Sequence, residues 1–236
     1  MTGPADREQE AVGLLDRLPA DLRGVLIGGY AVSAYGPPRY SVDLDLVVAA
    51  DTHEPLEGWL DAQGFGLEKR WKSRAEGSTA TVSRWRLGLL VVDLLGGAVR
   101  DREAAVDVAF AWVAREPRML RLVLQSASTA GPYPVCRPQA LWALKLLAGR
   151  PQDVSDLFVL SDVSAPLEEV RALFESLWCP TLRRKLERVA ATLADERVYR
   201  DACSRRSLGP PDAERNRRLW RAFRGRVASV IPAVKE

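Results

Sequence analysis

The chain of 236 residues carries a formal charge of only +3, with 47% hydrophobic and 28% charged residues, a balance that excludes the disordered and fibrous classes. Its length gives room for two modest hydrophobic cores, and two domains are expected, residues 1–126 and 127–236. No apolar run approaches the roughly 18 residues that span a membrane, the start MTGPADREQEAV lacks a signal pattern, and Cys136, Cys179 and Cys203 are odd in number without CxxC spacing, so a soluble cytoplasmic protein without a disulfide framework or zinc site is expected.

Taken in order, Asp6 to Leu18 sets Val12, Leu14, Leu15 and Leu18 among charges, a helical stripe that stops at Pro19. Val25 to Ile27 suits a short strand. Gly28 and Gly29 follow directly, ahead of a helix-compatible segment Tyr30 to Tyr35 that Gly36, Pro37 and Pro38 end. A strand, two glycines and a helix start can cradle an anion, because backbone amides free of Cβ atoms approach it closely. Alone, the same pair is an ordinary tight turn. Ser41 to Val48 then alternates, so a strand here turns Ser41, Asp43 and Asp45 to one face and Val42, Leu44, Leu46 and Val48 to the other. Two carboxylates at this spacing resist joint ionisation unless a cation sits between them, and Mg²⁺ is the hard, oxygen-preferring ion that suits the pair. The bland alternative is a solvated sheet face.

Beyond this segment, Glu54 to Gln63 predicts a helix with Leu56, Trp59 and Leu60 inward, and His53, the sole histidine, falls in the loop before it as a structural residue, which leaves no Ser-His or Cys-His arrangement. Thr79 to Leu87 and Leu89 to Leu95, separated by Gly88, predict paired strands. In the second, Asp93 is the one charge in an apolar run, and a buried carboxylate requires a cation or a partner; otherwise it caps the turn at Gly96 and Gly97. Arg102 to Trp112 is compatible with a helix and Met119 to Leu124 with a strand, while Ser126 to Pro134, rich in small and turn-forming residues, suggests a loop at the domain boundary. From Pro138 the pattern turns helical: Leu141, Trp142, Leu144, Leu146 and Leu147 around Lys145, then a short amphipathic helix with Asp153 and Asp156. Three further helices are expected over Leu167–Leu177, Thr181–Leu193 and Asp212–Ile231. Their arginines, among them Arg183, Arg188, Arg217 and Arg224, form either a polyanion-binding surface or a solvated face.

The run Gly28-Gly29, short helix, Arg39, Ser41, Asp43 and Asp45 in an RxSxDLDL frame resembles the nucleotidyltransferase superfamily that includes DNA polymerase β and the aminoglycoside nucleotidyltransferases, in its AbiEii-type branch with the MenT toxins. PQALWALKLLAGRPQDVSDLFVL resembles that branch's second signature. One departure is Tyr30, where the family carries a small hydroxyl residue after the glycines. The resemblance implies an α/β (α+β) fold: an N-terminal mixed sheet flanked by helices, then a C-terminal helical domain that completes the nucleotide site and binds the acceptor. It implies an enzyme that moves a nucleoside monophosphate from an NTP to an acceptor hydroxyl. Asp43, Asp45 and Asp93 would bind two Mg²⁺ ions, with Asp93 also assisting acceptor deprotonation. Gly28, Gly29, Lys145 and Arg150 would meet the triphosphate, and Asp153 would orient Lys145 or Arg150. Arg39 and Ser41 border the site, either orienting phosphates or tying the strand to its neighbour; Lys145 otherwise snorkels from an apolar helix and Asp153 caps the next one. The acceptor implied is the 3′ end of tRNA, with a cognate antitoxin as a possible partner. A small-molecule acceptor, as in antibiotic adenylation, and a catalytically silent binding module are the alternatives.

Overall fold

The computed structural model of the chain describes residues 4–38, 41–125, 128–205, 211 and 213–232. The chain divides into two compact units, one of residues 1–34, 38–100 and 107–137, the other of residues 35–37, 101–106 and 138–236.

The first unit is a mixed sheet with helices laid on it. Helix α1 (Pro4–Arg17) buries Ala11, Leu14 and Leu15 and leads to β1 (Val25–Leu26). Helix α2 (Gly28–Ser33) begins at the glycines themselves, and β2 (Asp43–Val48) follows. Helix α3 (Ala50–Ala62) buries Leu56 and Leu60, with Trp59 only half-buried. Then come β3 (Gly66–Lys72), β4 (Thr81–Leu87) and β5 (Leu90–Gly96), the ribbon strands β6 (Ala98–Asp101) and β7 (Val106–Ala109), the short α4 (Phe110–Val113), β8 (Arg118–Val123) and β9 (Thr129–Val135). Seven strands form one sheet in the order β3-β4-β5-β2-β1-β9-β8. The pairs β2–β5 and β1–β9 are parallel and the other pairings described are antiparallel.

Register decides which face does what. In β2 and β5, Leu44 lies opposite Val92 and Leu46 opposite Leu94, all four nearly or fully inaccessible, and α3 packs on β5. Burying each such side chain stabilises the fold by about 1.5–3 kcal/mol. The alternate positions, Asp43, Asp45 and Asp93, are thereby held on the opposite face by the packing of their neighbours.

Three sequence expectations change here, and one strand is added. The segment from Arg102 to Trp112 is not one helix: the Asp101 carboxylate accepts the Ala104 amide at 2.7 Å, Ala105 has φ +56°, and the chain turns into β7 before the single turn of α4. Ser126 to Pro134 is not a loop throughout, since Thr129 onward is β9. The two-residue β1 meets it only at Leu26–Val135, so most of one side of β9 lacks a ladder and tolerates Pro132 and Pro134. Strand β3 carries no expectation from sequence, because as an edge strand it exposes most of its residues. His53 is not in a loop but on α3, buried against Gly96, with its Nε2 3.3 Å from Ser83 Oγ.

The second unit is helical: α5 (Pro138–Ala148), α6 (Pro151–Leu160), α7 (Leu167–Ser176), α8 (Pro180–Thr192), α9 (Glu196–Arg205) and α10 (Glu214–Val230). Its core is aromatic, with Phe158 edge-on to Trp220 at 5.0 Å and Phe223 at 5.2–5.9 Å from Trp142 and Trp220. Helix α9 lies in what the sequence suggests is a polar linker; it is ordered by burial of Tyr199, Ala202 and Cys203 on one face. Among the described residues the three cysteines are free, and no helix is long and apolar enough to cross a membrane.

Candidate functional site

Asp43 and Asp45 stand on β2 and Asp93 on β5, where the parallel register sets Asp45 directly opposite Asp93. Directly opposed residues share a face and lie about 4.5–5.5 Å apart at Cβ. One carboxylate oxygen from each of Asp43, Asp45 and Asp93 lies within 4.8 Å of the others, and all three side chains are partly accessible. Oxygen donors this close, mounted on a strand pair whose other face is solidly apolar, fit a hard divalent cation such as Mg²⁺.

Gly28 belongs to the same locus. Gly28 has φ +66°, and a Cβ added to it would fall 1.9 Å from Asp45 Oδ2. The backbone at Gly28 is therefore pressed against the carboxylate, an approach only glycine permits. The Ile27 amide donates to the Asp45 carbonyl at 3.1 Å, extending the β1–β2 ladder up to the turn. Tyr30 follows on α2, buried, with its hydroxyl pushed up to about 12 by burial and the nearby Glu8 carboxylate. Its hydroxyl makes no hydrogen bond among the described residues. Ser41 is buried just ahead of β2; Arg39 lies outside the described residues.

Sequence reasoning did not anticipate Arg84. This β4 residue lies opposite Asp93 and forks onto it, Nε donating to Oδ1 at 2.7 Å and Nη2 to Oδ2 at 2.5 Å, while Nη2 also stands 3.6 Å from Asp43 Oδ2. The paired Asp93 carboxylate, with Asp43 and Asp45 nearby, holds the guanidinium firmly protonated. A legible signal existed: with Gly88 and Leu89 as a two-residue hairpin turn, Leu87 pairs with Leu90, and counting back along both strands brings Arg84 to Asp93. The partner that a carboxylate in an apolar run requires is thus present in the chain.

Lys145, Asp153 and Arg150 meet one another in the second unit. The Lys145 ammonium, buried on α5, lies 2.9 Å from Asp153 Oδ1 and 2.7 Å from Asp156 Oδ2, and both carboxylates are fully or almost fully buried on α6. Asp153 Oδ2 also accepts from Arg150, whose backbone N–H lies at 3.2 Å and Nε at 2.6 Å. Burial pushes the Asp153 carboxyl up, but the Arg150 guanidinium and the Lys145 ammonium outweigh it and hold it below the usual carboxylate range. Two cations and two anions balance, as burial requires.

No protein-family model matches the sequence, and no curated protein is significantly similar to it. Solved structures resemble it loosely. The antibiotic-resistance factor ANT(2'')-Ia, in solution, has 18% identity and a TM-score of 0.36 over 94% of this chain and 95% of that one. The same factor crystallised with adenylyl-2''-tobramycin has 18% identity and a TM-score of 0.39, covering 92% of this chain and 98% of that one. A candidate nucleotidyltransferase from H. pylori has 13% identity and a TM-score of 0.42 over 98% and 96%.

Proposed function

We propose that the chain is a metal-dependent nucleotidyltransferase. The observation that carries this reading is the convergence of Asp43, Asp45 and Asp93 within 4.8 Å of one another, beside a glycine whose backbone touches Asp45. In the reaction, the acceptor hydroxyl oxygen bonds to the α-phosphorus of an NTP, the bond from that phosphorus to the pyrophosphate oxygen breaks, and the hydroxyl proton leaves to a base. Asp43 and Asp45 would hold two Mg²⁺ ions, and Asp93 would share the second; bound there, the ions polarise phosphate oxygens and lower the pKa of the acceptor hydroxyl. Asp93, 14% exposed against 36% for Asp43, would orient or receive that proton. Gly28 and Gly29 would offer their backbone amides to the triphosphate. Lys145, Asp153 and Arg150 enter as phosphate-neutralising groups by resemblance alone; what their geometry supports is an ion network joining α5 to α6.

An RNA 3′ end is the acceptor we favour, supported by resemblance and by exposed arginines on the helical unit. A toxin role with a cognate antitoxin belongs to the same reading. Incubation with each labelled NTP, Mg²⁺ and total cellular RNA, alongside hydroxyl-bearing aminoglycosides, tests it. Label transfer with pyrophosphate release is expected, and Asp43→Asn or Asp45→Asn abolishes both. Transfer to an aminoglycoside and not to RNA replaces the acceptor; no transfer to any acceptor overturns the reading.

A further inference from the structure

We propose that Arg84 is the resting counter-ion of the carboxylate cluster, which gives way to a metal–nucleotide complex and then serves the nucleotide's phosphates. This rests on the nucleotidyltransferase reading above and adds a residue to it.

The geometry carries the first half. Arg84 engages both oxygens of Asp93 and reaches Asp43, so one guanidinium bridges two of the three groups that a divalent ion requires. A guanidinium and a divalent cation within a few ångströms of each other repel, and they compete for the same carboxylate oxygens. The ion therefore binds at full strength only when Arg84 moves aside.

Arg84 is free to do so. Its side chain is 43% exposed, against 14% for Asp93, and among the described residues its partners are only Asp93 and Asp43. By contrast Arg100, which pairs with Asp107 at 2.7 Å, is 13% exposed and held on the neighbouring ribbon.

The second half follows from guanidinium chemistry. An arginine leaving one carboxylate needs another planar pair of anionic oxygens, and a polyphosphate provides them bidentately. A bare ion offers Arg84 nothing in exchange, whereas an ion arriving with a triphosphate does. Metal and nucleotide binding are then coupled through Arg84, and the coupling is reciprocal.

The test is Mn²⁺ binding to the full chain by electron paramagnetic resonance, with and without the α,β-methylene analogue of each NTP, in the wild type, Arg84→Gln and Arg84→Lys. Arg84→Gln is expected to bind Mn²⁺ alone at least about tenfold more tightly than the wild type, and to bind the analogue in the presence of Mn²⁺ about tenfold more weakly, the scale of one charge-assisted fork. Arg84→Lys, which keeps the charge but loses the fork, falls between, and it carries the measurement if the glutamine variant does not fold. Mn²⁺ affinity equal in all three, or both affinities moving the same way, overturns the role of Arg84 while leaving the metal site standing. Mn²⁺ binding that is absent, or that survives Asp43→Asn combined with Asp45→Asn, overturns the metal site and the role together. Arg84-dependent Mn²⁺ binding without nucleotide transfer to any acceptor overturns the transferase reading alone.

Discussion

At Gly28, backbone conformation and site chemistry meet in one residue. Alanine there suffers twice: φ +66° is a left-handed conformation that costs a residue with a Cβ about 1–2 kcal/mol, and the added methyl would occupy the place of Asp45 Oδ2. Gly28→Ala is therefore expected to lower the melting temperature by a few degrees and, because Asp45 must swing away, to weaken Mn²⁺ binding by more than the stability loss implies. Calorimetry beside a metal titration checks this; Mn²⁺ affinity unchanged in a folded Gly28→Ala would show that the turn does not position the carboxylate. On the other face of the sheet, His53 makes a pH prediction. Burial, outweighing the pull of Glu57, holds its pKa below the ordinary 6.5. Above pH 6.5 the ring is neutral folded and unfolded, so it is silent. As pH falls below 6.5 the unfolded chain takes up a proton that the folded chain refuses, and stability drops until the depressed folded pKa is reached. His53→Gln should flatten the slope of unfolding free energy between pH 7 and pH 5, by at most about 1.4 kcal/mol per pH unit; an unchanged slope would mean that the ring titrates normally.

Helices α5 and α6 are joined by an ion network whose members are unequal. Removing the Lys145 charge takes from the buried Asp153 and Asp156 carboxylates the cation they share, and breaking a buried ion pair costs about 3–5 kcal/mol. Lys145→Met should thus lower stability sharply in denaturant unfolding, whereas Arg150→Ala, with its side chain 72% exposed, should cost no more than about 1 kcal/mol. A lysine held only for substrate would show the reverse, an intact fold with altered nucleotide binding. The same contrast explains what was legible in the sequence. Strand β2 announces itself by the alternation of carboxylates with buried leucines and β5 by an apolar run broken by one charge, so the acidic residues of the site are readable together with their mount. The Lys145 helix is readable because nearly every position is buried. Strand β3 and helix α9 are hidden for the opposite reason: one is an exposed sheet edge, and the other buries small and intermediate residues such as Ala202 and Cys203 in place of a leucine stripe. Arg84 escaped because its role depends on cross-strand register, which one hairpin turn sets and which no local composition expresses.

Across the whole chain the net charge is +3, yet the arginines of the C-terminal third are not a uniform basic field. Many are consumed internally: Arg183 pairs with Glu187, Arg217 with Glu196 at 2.8 Å, Arg221 with Glu214 at 2.6 Å, and Arg188 with Glu103. Lys185, on α8 between Arg183 and Arg188, is buried against Asp101. Exposed Arg184, Arg197, Arg215, Arg218 and Arg224 pair through their side chains with no carboxylate among the described residues, and these charges are available to a phosphate backbone. Affinity for single-stranded RNA should then fall with salt at a slope of about 3.5 in log K against log salt, since each neutralised phosphate contributes about 0.7. A combined change of those five arginines to serine should bring the slope toward zero with little effect on the melting temperature, because none belongs to an ion pair among the described residues. Arg217→Ala serves as the contrast: it breaks the pair to Glu196 and the stacking of its guanidinium 4.5 Å over Tyr199, so it should shift the melting temperature while leaving the salt slope nearly unchanged. A slope far steeper than about 3.5 would require the internal pairs to open on binding, and a slope near zero in the wild type would remove RNA as a polyanionic partner and favour a small hydroxyl-bearing acceptor.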